Sequence, residues 1–241
     1  MEQNQEEIPL QNNQPSGNGN ILASIPGRAL SVVLRPVQFF SQEMPKAGGY
    51  VEPLLFMVVM AAVTGVVLAI VGMIGFGPVG MMAMGLTGVI LLPIMVAIFG
   101  FVGAAILFVI WKIMGSDENF ETAYRCMAFS YAYAPVAALV SGVPYLGTVL
   151  SSLWPMVLMA IASIHVHGRS ANAAWAVFGI LGLLFTFMGI GAEKAGREMS
   201  GSLEGWSKQM EEKYGDPDEM TPEEAGKMLG EFMKGMQKGN E

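Results

Sequence analysis

Three long stretches of this sequence contain no Asp, Glu, Lys, Arg or His. They run from Leu54 to Trp111, from Cys126 to Ile164 and from Ser170 to Ala192. Because a helix needs about 20 apolar residues to cross a bilayer, these lengths accommodate two, two and one crossings. Charged residues make up only 14% of the chain, well below the roughly 25% typical of soluble domains. The sequence therefore predicts an all-α, polytopic transmembrane helical bundle of about five spans.

Glycine and proline divide the two longer stretches. Gly75-Phe76-Gly77-Pro78 interrupts the first stretch and Gly142-Val143-Pro144 the second, and both favour turns. The third predicted span is short and weakly apolar, so a re-entrant third and fourth segment is the main alternative. The predicted spans are Leu54–Ile74, a helix within Leu86–Met114, Met127–Ser141, Tyr145–Ile164 and Ala171–Gly191.

Composition changes along the chain predict four regions. Residues 1–24 are acidic and then rich in Gly, Asn and Gln, which predicts a disordered polar tail without a signal peptide. Residues 25–49 form an amphipathic segment, residues 50–192 the membrane domain, and residues 193–241 an acidic, helical, soluble tail.

The basic residues outside the C-terminal tail fall into alternate connections between the spans. Arg28, Arg35 and Lys46 precede the first span, Lys112 and Arg125 lie between the second and third, and Arg169 lies between the fourth and fifth. The two other connections contain no Lys or Arg. By the positive-inside rule the N-terminus is expected in the cytoplasm, and five crossings place the C-terminus on the translocated side.

The segment before the first span has helical periodicity. Leu30, Val33, Leu34, Val37, Phe40 and Met44 recur on one face, and Ser31, Arg35, Gln38 and Gln42 on the other. Such a helix is suited to the headgroup layer of a bilayer. A short segment packed against the bundle is the alternative.

Several landmarks occur in a fixed order along the membrane region. They are RPVQFF, GGYVEPLLF, GSDENFETAYRCMAFSYAYAP, VPYLG and HGRSANAAWAVFGIL, between Arg35 and Gly191. Together they resemble the Yip1-domain family in its bacterial form. The resemblance implies a five-span bundle with a cytoplasmic N-terminus, here in a bacterial inner membrane. The eukaryotic branch is associated with Rab-type GTPases, but its Asp-Leu-Tyr-Gly-Pro signature is absent here, which argues against a GTPase partner.

The third predicted span contains an interruption. Pro135 removes a helical donor and leaves the carbonyl of Tyr131 in need of a partner, and Ser130, Tyr131 and Tyr133 carry hydroxyl groups close by. We expect a broken helix there and a tight turn at Pro144 and Tyr145. These six residues are the candidate structural or functional kink, because broken helices also line transport pathways.

Residues for catalysis are scarce. His165 and His167 have no nearby Asp, Glu or Cys to complete a metal site, and Cys126 is the single cysteine. No motif of a hydrolase, metalloprotease or P-loop enzyme is present. The sequence predicts no catalytic, metal or cofactor site and no nucleic-acid partner.

The C-terminal tail predicts an amphipathic helical hairpin joined at Gly215-Asp216-Pro217. Methionine-rich faces are typical of adaptable binding surfaces, so we expect the tail to bind a second copy or another membrane protein. The alternative is that the two helices pack on each other or on the outer surface of the bundle. The candidate binding residues are Met199, Leu203, Trp206 and Met210 in the first helix and Met228, Phe232, Met233 and Met236 in the second.

These features favour a protein that organises or scaffolds membrane through helix packing and partner binding, and not an enzyme. The alternative is a transporter, or a transporter subunit, whose pathway uses the broken third helix.

Overall fold

A computed structural model describes residues 18–74, 80–214, 221, 226–227 and 230. The side chains of residues 18–20, 80–86, 203, 206–207, 210 and 213–214 are outside this description. The chain divides into two units, Met1–Gly189 and Ile190–Glu241.

The regular elements of the described residues are all helical. They are α1 (Asn18–Leu34), α2 (Pro36–Gln38) with a π-helical turn (Phe39–Glu43), α3 (Val51–Met73), α4 (Gly80–Ile113), α5 (Phe120–Ser130), a 3₁₀ turn (Tyr131–Tyr133), α6 (Ala134–Val140), α7 (Leu146–His165) and α8 (Ala171–Tyr214). The predicted all-α fold class is confirmed.

Four helices within the described ranges are long and apolar enough to cross a membrane. They cover Val51–Met73, Thr87–Ile113, Leu146–His165 and Ala171–Ser202. These correspond to the predicted first, second, fourth and fifth spans. The predicted third span instead lies across α5, the 3₁₀ turn and α6, which have 11, 3 and 7 residues. The number of spans is thus close to the predicted five, and the difference arises where the predicted interruption breaks the helix.

Contacts between connections show which way the broken segment runs. Arg169 Nη1 donates to Met114 O at 3.1 Å, and Ser116 Oγ is hydrogen-bonded to His167 Nδ1 at 2.8 Å. The start of α5 and the end of α7 therefore lie at the same end of the bundle, which we call the basic end. Since α6 turns directly into α7, the segment from α5 to α6 runs to the opposite end. It is therefore antiparallel to α7.

Helices α3 and α4 cross at very close range. A Cβ added to Gly65 would lie 2.6 Å from the backbone N of Val89 and 2.8 Å from the carbonyl carbon of Gly88. Ala61, one turn before Gly65 on α3, is fully buried. Small residues therefore allow the two backbones to approach, as in many membrane helix pairs.

The outer faces of the spans are strongly apolar. Large aliphatic side chains remain exposed along one face of α4: Ile90, Ile94, Ile98, Val102, Ile106, Val109 and Ile113. In a bilayer this face is solvated by hydrocarbon, so its exposure carries no hydrophobic penalty there.

The N-terminal helices divide the predicted apolar face in two. One set of side chains is buried against the bundle: Ile25, Val32, Phe39, Phe40 and Met44. A second set stays exposed: Leu22, Leu30, Leu34 and Val37. The predicted face had combined members of both sets. The π-helical turn, closed by Met44 N donating to Phe39 O at 2.8 Å, brings the adjacent Phe39 and Phe40 inward together.

This segment therefore packs on the bundle and also keeps an apolar stripe available for lipid. The packed alternative holds for the buried set, and the headgroup-layer placement of the exposed set stays a prediction. Helix α1 begins at Asn18, within the region 1–24 that the sequence predicts as a polar tail.

Replacing Gly65 with alanine tests the close crossing. The new methyl group would meet backbone atoms, which cannot rotate away, so we expect a loss of about 1–3 kcal/mol in stability. Gly179→Ala in α8 is the matched control, because a Cβ there has no atom within 4 Å. Thermal unfolding of the detergent-solubilised protein measures both variants. Equal melting temperatures for the two would show that α3 and α4 are not in backbone contact at Gly65.

Candidate functional site

A group of four charged side chains lies at the basic end of the bundle. We call Arg28, Glu52, Glu121 and Arg125 the charge cluster. They come from α1, α3 and α5, and the connection at Gly48 and Gly49 completes the group. Elements far apart in sequence therefore meet through charges.

Arg125 is the centre of the charge cluster, and its side chain is 0% exposed. Its guanidinium is hydrogen-bonded to Glu52 Oε2 at 3.1 Å, to Glu121 Oε1 at 3.3 Å and to Gly49 O at 2.8 Å. An arginine cannot lose its charge by deprotonation in a protein, so burial requires such partners. Glu52 also pairs with Arg28, which lies over the ring of Phe129.

The backbone before α3 is shaped around Arg125. Gly48 and Gly49 have φ values of +126° and +81°, in the region that favours glycine. A Cβ at Gly48 would lie 2.9 Å from Arg125 Nη2. Gly49 N donates to Glu121 Oε1 at 2.7 Å. Glycine at these positions thus lets the chain wrap the guanidinium closely.

The formal charges of the charge cluster balance, with two arginines and two glutamates. The sequence interpretation missed this site, because it counted Arg28 and Arg125 only as topogenic charges and left Glu52 unassigned. A signal was present: Glu52 lies two residues before the first charge-free stretch, and Arg125 directly precedes the second. A charged side chain next to a charge-free stretch lies at the end of a span, where the bundle can bury it.

A second polar group at the basic end is built around His167. Its ring stacks on Trp111 with centroids 3.8 Å apart, and His167 Nδ1 is hydrogen-bonded to Ser116 Oγ at 2.8 Å. Trp111 Nε1 donates to Ser163 Oγ at 2.7 Å. His165, in contrast, is exposed at the end of α7. Within the described residues no set of three His, Cys, Asp or Glu is placed to hold a metal ion.

Burial lowers the pKa of His167 to about 4. The negative charge of Glu118 opposes this lowering, and the positive charges of Lys46, Arg169 and Lys112 add to it. The imidazole is therefore neutral near pH 7. Burial also disfavours the charged form of Glu118, but its hydrogen bond to Lys46 and the charge of that lysine hold its pKa below the usual value. Lys46 further donates to Val166 O at 3.2 Å, so it ties the connection before α3 to the end of α7.

The broken helix occurs where the sequence predicts it, but its carbonyl is satisfied differently. Tyr131 O accepts from the backbone N–H of Ala134 in the 3₁₀ turn. Ser130 Oγ donates to Cys126 O at 2.7 Å, within its own helix. The expectation that side-chain hydroxyls satisfy the Tyr131 carbonyl was wrong, because the tighter i to i+3 turn supplies a backbone donor. Pro135 follows at the start of α6, where a missing N–H costs little.

The other two kink candidates lie at the opposite end of the segment. Pro144 and Tyr145 form the tight turn between α6 and α7, and Tyr145 adopts a left-handed φ of 62°. Gly147 permits the close return, since a Cβ there would lie 2.6 Å from Ser141 Cα. The six kink candidates therefore form two features, a central break and an end turn, and do not converge on one site.

The tail candidates are only partly described. Met199 is exposed on α8, which continues without interruption to Tyr214. The side chains of Leu203, Trp206 and Met210, and the whole of Met228, Phe232, Met233 and Met236, lie outside the described residues. The proposed hairpin and its binding face stay predictions.

The apolar spans and the buried charge cluster define an integral membrane helical bundle. The family model of the Yip1 domain matches residues 30–192, and the chain belongs to this family. The matched residues include Glu52, Glu121 and Arg125 of the charge cluster, but not Arg28. They also include the group around His167. No curated protein and no solved structure gives a significant match.

Glu52→Gln tests the charge cluster. The amide keeps the shape of the side chain but removes the negative charge shared by Arg28 and Arg125, so we expect a loss of about 1.5–3 kcal/mol in stability. Glu204→Gln is the control, because Glu204 pairs with Lys208 on an exposed helix surface and its loss should not measurably change the melting temperature. If both variants unfold at the wild-type temperature in detergent, Arg125 does not depend on Glu52.

His167 predicts a pH dependence of stability. An unfolded histidine has a pKa near 6.5, and the native value is about 4. Between these values the unfolded chain binds a proton that the native protein does not, so stability falls as the pH drops from about 6.5 to about 4.

His167→Gln should flatten this part of the curve of melting temperature against pH, and the exposed His165→Gln should leave it unchanged. Parallel curves for wild type and His167→Gln would contradict a neutral, buried imidazole.

Proposed function

We propose that this protein organises or scaffolds membrane and is not an enzyme. The observation that carries the proposal is the charge cluster, which fastens the N-terminal helix to the bundle. Arg28 of α1 pairs with Glu52 of α3, and Glu52 pairs with the buried Arg125 of α5. A fixed amphipathic helix beside several spans can hold a defined area of one leaflet.

The basic end is proposed to face the cytoplasm of a bacterial-type cell, with the protein in the inner membrane. Support comes from the shared location of the basic connections, since Lys46, Lys112 and Arg169 all contact residues 114–118. With a third, broken crossing, the C-terminus lies on the translocated side. A reporter fused after Glu241 tests this orientation, and cytoplasmic activity of that fusion would contradict it.

The broken segment between α5 and α6 supports the transporter alternative. Four buried hydroxyls in the spans hydrogen-bond to carbonyls of their own helices, whereas the buried hydroxyl of Tyr124 in α5 has no partner among the described residues. In each pair the hydroxyl of the first residue donates to the carbonyl of the second at 2.7–2.8 Å: Thr64 and Met60, Ser130 and Cys126, Ser163 and Met159, and Thr186 and Gly182. Polar groups satisfied in this way favour a packed interior over a substrate pathway.

The tail is proposed as the surface that binds a partner or a second copy. Met199 extends from α8 with 64% of its surface exposed. In the described part of the tail, Glu193, Glu198 and Glu204 pair with Arg197, Lys194 and Lys208 along α8, and recognition is proposed to use the apolar side chains.

Reconstitution into liposomes tests the scaffold proposal. We expect the wild-type protein to shift vesicles toward smaller diameters or tubules, because a fixed helix in one leaflet enlarges that leaflet. Arg28→Gln removes the ion pair between α1 and α3 but leaves Ile25 and Val32 buried and Arg125 paired with Glu52 and Glu121, so the shift should be reduced while the bundle stays folded. Cryo-electron microscopy gives the diameters, and the melting temperature reports folding.

Glu204→Gln is the control and should remodel vesicles like wild type. Vesicles identical to protein-free vesicles, or full remodelling by Arg28→Gln, would contradict the proposal. A cysteine at Ala137, buried in α6, tests the alternative. Its reaction with a water-soluble maleimide would favour a transport pathway.

A further inference from the structure

We propose that the break between α1 and α2 forms a binding site for the headgroup of an anionic phospholipid, with Arg35 as the phosphate contact. The inference rests on the proposed membrane function and names the lipid that the N-terminal helices select.

Arg35 differs from the other basic residues near the basic end. Among the described residues, its side chain makes no hydrogen bond and no ion pair, and it is exposed. The others have partners: Arg28, Lys46, Lys112, Arg125 and Arg169 bind carboxylates or carbonyls of the chain. Arg35 therefore retains its full capacity to bind an external anion.

The backbone presents Arg35 outward. Pro36 cannot donate a hydrogen bond, so the helix breaks, and Arg35 has φ −138° and ψ 55°. Its own N–H still donates to Ser31 O at 2.8 Å, and its carbonyl accepts from Phe39 N at 3.0 Å. The backbone N–H and carbonyl of Arg35 are thus satisfied, and Arg35 lines an open groove.

The groove has the chemistry of a lipid headgroup site. Its lining includes Arg35, the carboxamides of Gln38 and Gln42, and the apolar Leu34 and Val37, and none of its lining residues is acidic. A guanidinium binds two phosphate oxygens at once, and carboxamide N–H groups can donate to further oxygens.

The apolar residues decide between a lipid and a free phosphate. Leu34 and Val37 are exposed and continue the stripe of Leu22 and Leu30 along α1. A lipid places its phosphate at Arg35 and its acyl chains along this stripe, whereas a free phosphate leaves the stripe in water. An uncompensated positive charge favours an anionic headgroup over one that carries its own cation.

Native mass spectrometry of the full-length protein in detergent measures the preference directly. The protein is titrated with phosphatidylglycerol or with phosphatidylcholine of the same acyl chains. We expect wild type to bind phosphatidylglycerol about fivefold more tightly, the effect of one basic residue at an anionic interface. Arg35→Gln should remove the difference. Lys194→Gln, which deletes the same charge from an exposed pair with Glu198, should keep it.

Three outcomes would overturn the site. Arg35→Gln could keep the preference, Lys194→Gln could lose it equally, or excess inorganic phosphate could abolish it, which would identify a site for phosphate alone. The melting temperature of Arg35→Gln should equal that of wild type, because the side chain has no partner in the described part of the protein. Arg35→Gln leaves Arg28 and Glu52 intact, so a failure of lipid selection is distinguishable from a failure of vesicle remodelling.

Discussion

The buried guanidinium of Arg125 is the constraint on which the basic end of this protein depends. A permanent charge without water needs several acceptors, and no single element of the chain supplies them all. Glu52 comes from α3, Glu121 from α5 itself and Gly49 O from the connection before α3. The N-terminal helix joins through Arg28 and Glu52. Its position therefore depends on Glu52, which Arg125 also requires, as well as on the buried Ile25 and Val32.

The rest of the bundle is held by different physics. Apolar helices gain nothing from burial against each other when lipid is equally apolar, so close packing decides which faces meet. Gly65 against Gly88 gives that contact for α3 and α4. Polar interactions are concentrated at the basic end, where the charge cluster, Lys46 with Glu118, and His167 with Trp111 lie. The spans are thus held together by close packing, and the basic end is held together by ion pairs and hydrogen bonds.

The sequence predicted most of the spans, because charge-free length and turn residues are local signals. It also predicted the break at Pro135 and the turn at Pro144, since proline acts on its own backbone. The contacts between elements distant in sequence were not predicted. Arg125 has the same sequence signature as a topogenic loop charge, and only the fold shows that Gly48, Gly49 and Glu52 surround it. The N-terminal segment likewise has one apolar periodicity in sequence but two apolar faces in space, because the Pro36 break and the π-helical turn change the register.

Hydrogen exchange in the Arg125→Lys variant shows whether the charge cluster holds the N-terminal helix on the bundle. Lysine keeps the charge but cannot reach all three acceptors with the geometry of a guanidinium. We expect faster exchange of backbone amides in α1, although Arg125 does not pair with that helix. Exchange in α7 should be unchanged. Unchanged exchange in α1, with effects confined to the immediate surroundings of residue 125, would contradict the claim that the charge cluster fixes the N-terminal helix on the bundle.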